Sequence, residues 1–163
     1  LLTFICQIDL EELAPHDTGN ELPHHGMLYF FADLDYFLGD YDAYCEGLGF
    51  WNEEAFRVIY CPEKCDLHTH EVRWADGSSA ALPAERIEFT GVPHNESGHK
   101  LLGIPFFDEV SEECGGMVSL LQLDEDDRWR FRLYDVGNMN FMISKEALAA
   151  RDFSKVQLYV HCM

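Results

Sequence analysis

With 163 residues, 47% of them hydrophobic and 13% aromatic, the chain can bury the core of one domain, which excludes a disordered polypeptide. Thirty acidic residues against eleven basic ones leave a net charge of −19. Such a surface repels DNA, RNA and anionic membranes, and leaves cations and basic proteins as partners.

The charge is uneven. The first Lys or Arg is Arg57, and residues 1–56 carry twelve acids and no base. Leu1-Leu2-Thr3-Phe4-Ile5 begins in mid-strand, so an N-terminal segment is expected to be missing. No run reaches the ~18 apolar residues of a membrane span, and no basic region precedes the first apolar run. The six cysteines are Cys6, Cys45, Cys61, Cys65, Cys114 and Cys162. They do not suggest a disulfide scaffold at this length, and a reducing, cytoplasmic compartment is expected.

In chain order, residues 2–10 read as a strand that runs into a helical turn at 9–13. Residues 26–33 form a second strand after a turn-rich loop. An acidic helix over 35–47 is weakened by Gly39. Residues 56–60 are a strand, and 67–74 alternate as an edge strand. Prolines 83, 93 and 105 leave residues 75–105 as irregular connections with short strands. Strands follow at 117–123, 139–143 and 156–162. Residues 129–134 alternate Trp129, Phe131 and Leu133 against Arg128, Arg130 and Arg132, which predicts one more strand. Ser144 caps a helix over 145–151. The fold class is α+β, mostly antiparallel sheet with few short helices.

The chain also repeats itself. Phe4-Ile5-Cys6-Gln7-Ile8-Asp9 aligns with Ser119-Leu120-Leu121-Gln122-Leu123-Asp124, and Gly26-Met27-Leu28-Tyr29-Phe30-Phe31 aligns with Gly137-Asn138-Met139-Asn140-Phe141-Met142. Gln7, Asp9 and Gly26 thus correspond in order to Gln122, Asp124 and Gly137. A strand–loop–strand unit duplicated within one domain over 1–163 is expected. Its related halves, about 1–75 and 100–163, are joined by an irregular segment. A Gln inside an apolar strand needs partners if buried, so Gln7 and Gln122 are expected to bond to each other or to backbone near a pseudo-twofold axis.

These residues, with Arg57-Val58-Ile59-Tyr60, His99-Lys100-Leu101-Leu102-Gly103-Ile104-Pro105, Asp135-Val136-Gly137 and Asp152-Phe153-Ser154-Lys155-Val156, resemble the YwqG-like family, a bacterial domain of unknown function. The resemblance spans the chain. It implies an internally duplicated α+β fold and an association with toxin–immunity loci, and it supplies no catalytic residue. The family's opening Gly- and Pro-rich segment is absent here. Gly137-Asn138-Met139-Asn140-Phe141 also departs from the usual Gly-x-Leu-Tyr-Phe.

Two Cys and two His within ten residues, Cys61, Cys65, His68 and His70, supply donors for tetrahedral zinc. Their Cys-x3-Cys-x2-His-x-His spacing strains a closed site, and a solvated hairpin loop is the competing reading. Asp33, Asp35, Asp40, Asp42 and Glu46 fail the EF-hand spacing. Neither a nucleophile elbow nor a phosphate loop is present. Cys114, beside Gly115-Gly116, is expected to be exposed, with Glu112 and Glu113 raising its pKa. His99, in the family-like segment, is the first residue to mutate.

No cofactor and no catalytic residue are expected, and the oligomeric state stays open. The leading expectation is a non-enzymatic module that masks a basic toxin or regulator, anchored by aromatics such as Trp51, Tyr41 or Tyr44. The alternatives are a ligand or enzyme site in the cleft between the halves, with His99, Asp9 and Asp124, and a nucleic-acid mimic.

Overall fold

A computed structural model describes residues 1–63, 72–73, 75–91 and 97–163. Along the chain lie β1 (Thr3–Asp9), α1 (Leu10–Leu13), β2 (Met27–Ala32), β3 (Gly49–Phe50), β4 (Phe56–Cys61) and β5 (Lys100–Leu101). There follow α2 (Asp108–Glu113), β6 (Val118–Asp124), β7 (Gly137–Ile143), α3 (Lys145–Ala149) and β8 (Gln157–Cys162). The strands form two antiparallel sheets, ordered β1-β2-β4 and β3-β8-β7-β6-β5. The architecture is mostly antiparallel β with few short helices.

The aligned segments adopt one register. In the first hairpin Gln7 lies opposite Tyr29 and Ile8 opposite Leu28. In the second, Gln122 lies opposite Asn140 and Leu123 opposite Met139. Each hairpin carries its irregularity at the corresponding place, between Phe4 and Cys6 and between Ser119 and Leu121. A bulge bends a strand and adds twist, so the two hairpins curve alike. The third strand follows suit: Cys61 ends opposite Met27, and His161 opposite Asn138. The glycines have the same cause in both places. A Cβ on Gly26 would lie 2.4 Å from the Cys61 carbonyl oxygen. One on Gly137 would lie 2.8 Å from the His161 carbonyl oxygen and 2.5 Å from that of Leu133.

Apolar residues of both sheets form one core that includes Ile8, Leu28, Phe30, Leu123, Phe141, Leu158 and Val160. Phe30 and Phe141, which correspond in the alignment, meet edge to face with centroids 5.3 Å apart. Where these rings meet, the two sheets share core. The halves also interleave, because β3 from the first pairs with β8 of the second sheet. A smaller cluster of Phe107, Val110, Cys114, Met142 and Tyr159 seats α2 on the second sheet.

Three expectations are corrected. Residues 129–134 are not a strand: the chain turns through 127–130, Phe131 N donates to Asp126 O (3.0 Å) in an isolated bridge, and Arg130 takes a φ of 56°. Their side chains still alternate in and out, with Phe131 and Leu133 buried. The helix expected over 35–47 shrinks to a 3-10 turn at Tyr36–Leu38, because Gly39 ends it in the left-handed region at φ 107°. Cys114 is buried, packed beneath α2. Ser144 does cap α3, its Oγ accepting from Ala147 N at 3.1 Å.

Candidate functional site

Gln122 and Asp124 lie two residues apart on β6, so both point to the same side of the sheet. Gln122 is fully buried. Its Nε2 donates to the Gly98 carbonyl oxygen (2.9 Å), and its Oε1 accepts from Phe106 N (2.8 Å). Asp124 Oδ2 accepts from Gly98 N (2.6 Å). The polar groups of Gly98 are thus gripped by the two repeat residues of the second copy. Lys100 is buried, and its Nζ donates to the Ile104 carbonyl oxygen (2.9 Å). Desolvation lowers its pKa, against the attraction of Asp124.

His99 closes this fastening. Its Nδ1 accepts from Asp124 N (3.2 Å), which places the proton of the neutral ring on Nε2, 3.4 Å from Asp126 Oδ2. The ring stacks on Trp129 with centroids 5.0 Å apart and planes at 14°. Arg128 binds Asp126 (2.6 Å) and Glu85 (2.9 Å). Hydrogen bonds from Arg128 hold the Asp126 carboxyl well below the usual carboxylate range. Both ring nitrogens of His99 have partners, so the cluster fastens residues 98–106 to β6.

The other repeat residues go elsewhere. Gln7 is exposed, and of the two partners expected for these glutamines, each other or backbone, Gln122 takes backbone. Asp9 Oδ1 accepts from Glu11 N (3.0 Å) and caps α1. Asp124 and His99 come together, while Asp9 lies on the other sheet. Sequence reasoning missed a buried polar row beside the fastening. Asn140 Nδ2 donates to Asn138 Oδ1 (2.7 Å), and Ser119 Oγ to Asn140 Oδ1 (3.4 Å). The visible signal was Asn138 and Asn140 standing where the first copy has Met27 and Tyr29.

A second region gathers aromatics among acids. Tyr41, Tyr44 and Leu48 are 75%, 71% and 54% exposed, interspersed with Asp40, Asp42 and Glu46. Tyr36 meets Tyr41 edge to face (5.6 Å). Cys45 Sγ contacts the Tyr134 hydroxyl at 3.4 Å. Trp51 does not belong to this surface. It is buried, stacked on Phe37 at 5.9 Å, with Nε1 donating to the Gly47 carbonyl oxygen (2.8 Å).

Of the zinc candidates, Cys65, His68 and His70 lie outside the described residues, and Cys61 ends β4. Among the described residues no three His, Cys, Asp or Glu side chains group as metal ligands, and no helix is long and apolar enough to cross a membrane.

No curated protein matches the chain. The model of a domain of unknown function, DUF1963, matches residues 1–162. The chain therefore belongs to the DUF1963 family.

Proposed function

We propose that this chain is a non-enzymatic protein-binding module of the YwqG-like kind, acting in the bacterial cytoplasm on a basic partner such as a toxin or regulator. The observation that carries the reading is the exposure of Tyr41, Tyr44 and Leu48 within a segment whose charges are all negative. Tyrosine rings anchor interfaces with little loss of side-chain freedom. Carboxylates around them steer a basic partner and select against acidic ones. The net charge of −19 and the base-free first 56 residues extend the same field. A partner that is itself a DNA-binding protein makes the module a nucleic-acid mimic on the same surface.

The test is affinity purification of the full-length protein from its native cells at low and moderate salt, read by mass spectrometry. A basic protein retained at low salt and released as salt rises supports the proposal. Retention of none at either salt overturns it.

A further inference from the structure

The turn that replaces the expected strand at 129–134 builds one wall of a cleft of about 410 Å³. Arg130, Arg132 and Asp127 line that wall, and Leu38, Gly39 and Tyr41 line the other. Backbone fixes both walls. Arg132 N donates to the Phe37 carbonyl oxygen (3.1 Å), and Arg130 N to that of Asp127 (3.2 Å). The Tyr36 ring braces Tyr41 from behind.

Two features of Arg130 are unusual for a turn in an acidic protein. It holds a φ of 56°, a left-handed conformation that glycine or asparagine adopts with less strain. Among the described residues no carboxylate pairs with it, although its neighbours are paired: Arg128 with Asp126 and Glu85, Arg132 with Asp127 and Glu125. The cleft thus holds one unpaired guanidinium and a second that already grips a carboxylate. That carboxylate, on Asp127, is 81% exposed and belongs to the cleft wall. It shows the kind of group the Arg132 fork takes.

We propose that this cleft binds a small ligand through a phosphate or carboxylate oxyanion, held by the guanidiniums of Arg130 and Arg132 against the Tyr41 ring. Charge-assisted bonds from a guanidinium fork suit either group. The net negative charge does not prevent this. Distant carboxylates are screened beyond roughly 8 Å at physiological salt, whereas the fork acts at contact. The cleft shares Tyr41 with the proposed protein-binding surface, but it takes a small ion and needs no partner, so the ion titration tests it separately.

The test is NMR titration of the full chain with inorganic phosphate and, separately, acetate, at constant ionic strength, following the Gly39 amide and the Arg130 Nε–H. Saturable shifts are expected at both probes. Tighter binding of phosphate identifies a phosphate-bearing ligand, and tighter binding of acetate a carboxylate. Arg130→Gly fits the left-handed backbone, so it should melt no lower than the parent while binding at least tenfold more weakly. Asp127→Asn leaves Arg132 paired with Glu125 alone and should bind severalfold more tightly. Glu53→Gln, the same charge change at a residue that does not line the cleft, should bind as the parent does. Shifts that do not saturate, Arg130→Gly binding like the parent, or Glu53→Gln matching Asp127→Asn would each overturn the proposal.

Discussion

Gln7 and Gln122 occupy corresponding positions in hairpins of the same register, yet the environments they meet are opposite. Replacing each by Ala therefore isolates what the loop fastening contributes. Gln122→Ala removes two hydrogen bonds, to Phe106 N and to the Gly98 carbonyl oxygen. At about 1 kcal/mol net apiece these account for about 2 kcal/mol. The loop's own N–H and C=O would then be unpaired in a part-buried setting, which costs about 1–3 kcal/mol for each group that stays dry. Lifting the loop into water limits that penalty, so the total is about 3 kcal/mol. Gln7 is exposed, and Gln7→Ala should stay within about 0.5 kcal/mol of the parent. Urea unfolding measures both changes. For a domain of this size the Gln122 variant should also melt roughly 6–12 °C lower. Hydrogen exchange locates the effect, with the Phe106 amide losing protection before the β6–β7 pairing does. Equal destabilisation by the two variants, or an unchanged Phe106 amide in Gln122→Ala, would refute the reasoning.

Three further expectations follow from the geometry. Gly137→Ala drives a Cβ to 2.5 Å from a backbone oxygen at the start of β7, so it should destabilise by about 3 kcal/mol in urea unfolding, and parent-like stability would contradict the assigned packing. The Asp126 carboxyl is held below its unfolded value of roughly 3.9. As pH falls the unfolded chain therefore takes up that proton first. The stabilisation by charged Asp126 is complete above about pH 4 and is lost at lower pH. Asp126→Asn should flatten the acid limb of the stability curve below about pH 4, and superimposable limbs would refute the assignment. Burial pushes the Cys6 thiol up to about 12 and the Cys114 thiol up to about 11, with Glu113 adding to the latter. Iodoacetamide at pH 8 should then modify half-buried Cys162 well before Cys114 in the folded protein, and mass spectrometry would expose the reverse order.

Much of the scaffold was legible because strands of a shared core must carry apolar residues in runs. Residues 26–33, 56–60 and 156–162 all became strands within two residues of the expected bounds. The repeat in sequence foreshadowed a repeat in register, since Gly26 and Gly137 each sit where a neighbouring carbonyl leaves no room for a Cβ. Residues 129–134 misled because an alternating pattern reports which side chains are buried and not the backbone that places them. A turn through Arg130 buries Phe131 and Leu133 just as a strand would. Helix α2 went unread because its apolar contacts, Phe107, Val110 and Cys114, are sparse among four acids. Their spacing of three and four residues was the signal present. The fastening was half visible. Gln122, Asp124 and His99 were singled out, but their grip on Gly98 and Phe106 spans up to 26 residues of chain and depends on where the loop returns. Trp51 was chosen as an exposed anchor because ring size alone does not reveal burial. Tyr41 and Tyr44 sit on the short segment beyond Gly39, where no further element among the described residues covers them.

The most direct test of the account compares the parent with a Tyr41→Ala/Tyr44→Ala double variant, using the basic partner recovered from native cells. Binding is measured by calorimetry at low and physiological salt. Both side chains are largely exposed, so the variant should fold and melt as the parent does. The account predicts a loss of affinity of at least thirtyfold, roughly 2 kcal/mol as for anchor tyrosines elsewhere, and weaker binding by both proteins as salt rises. A variant that binds the same partner with parental affinity would contradict the assignment of this acidic, tyrosine-bearing surface as the interface.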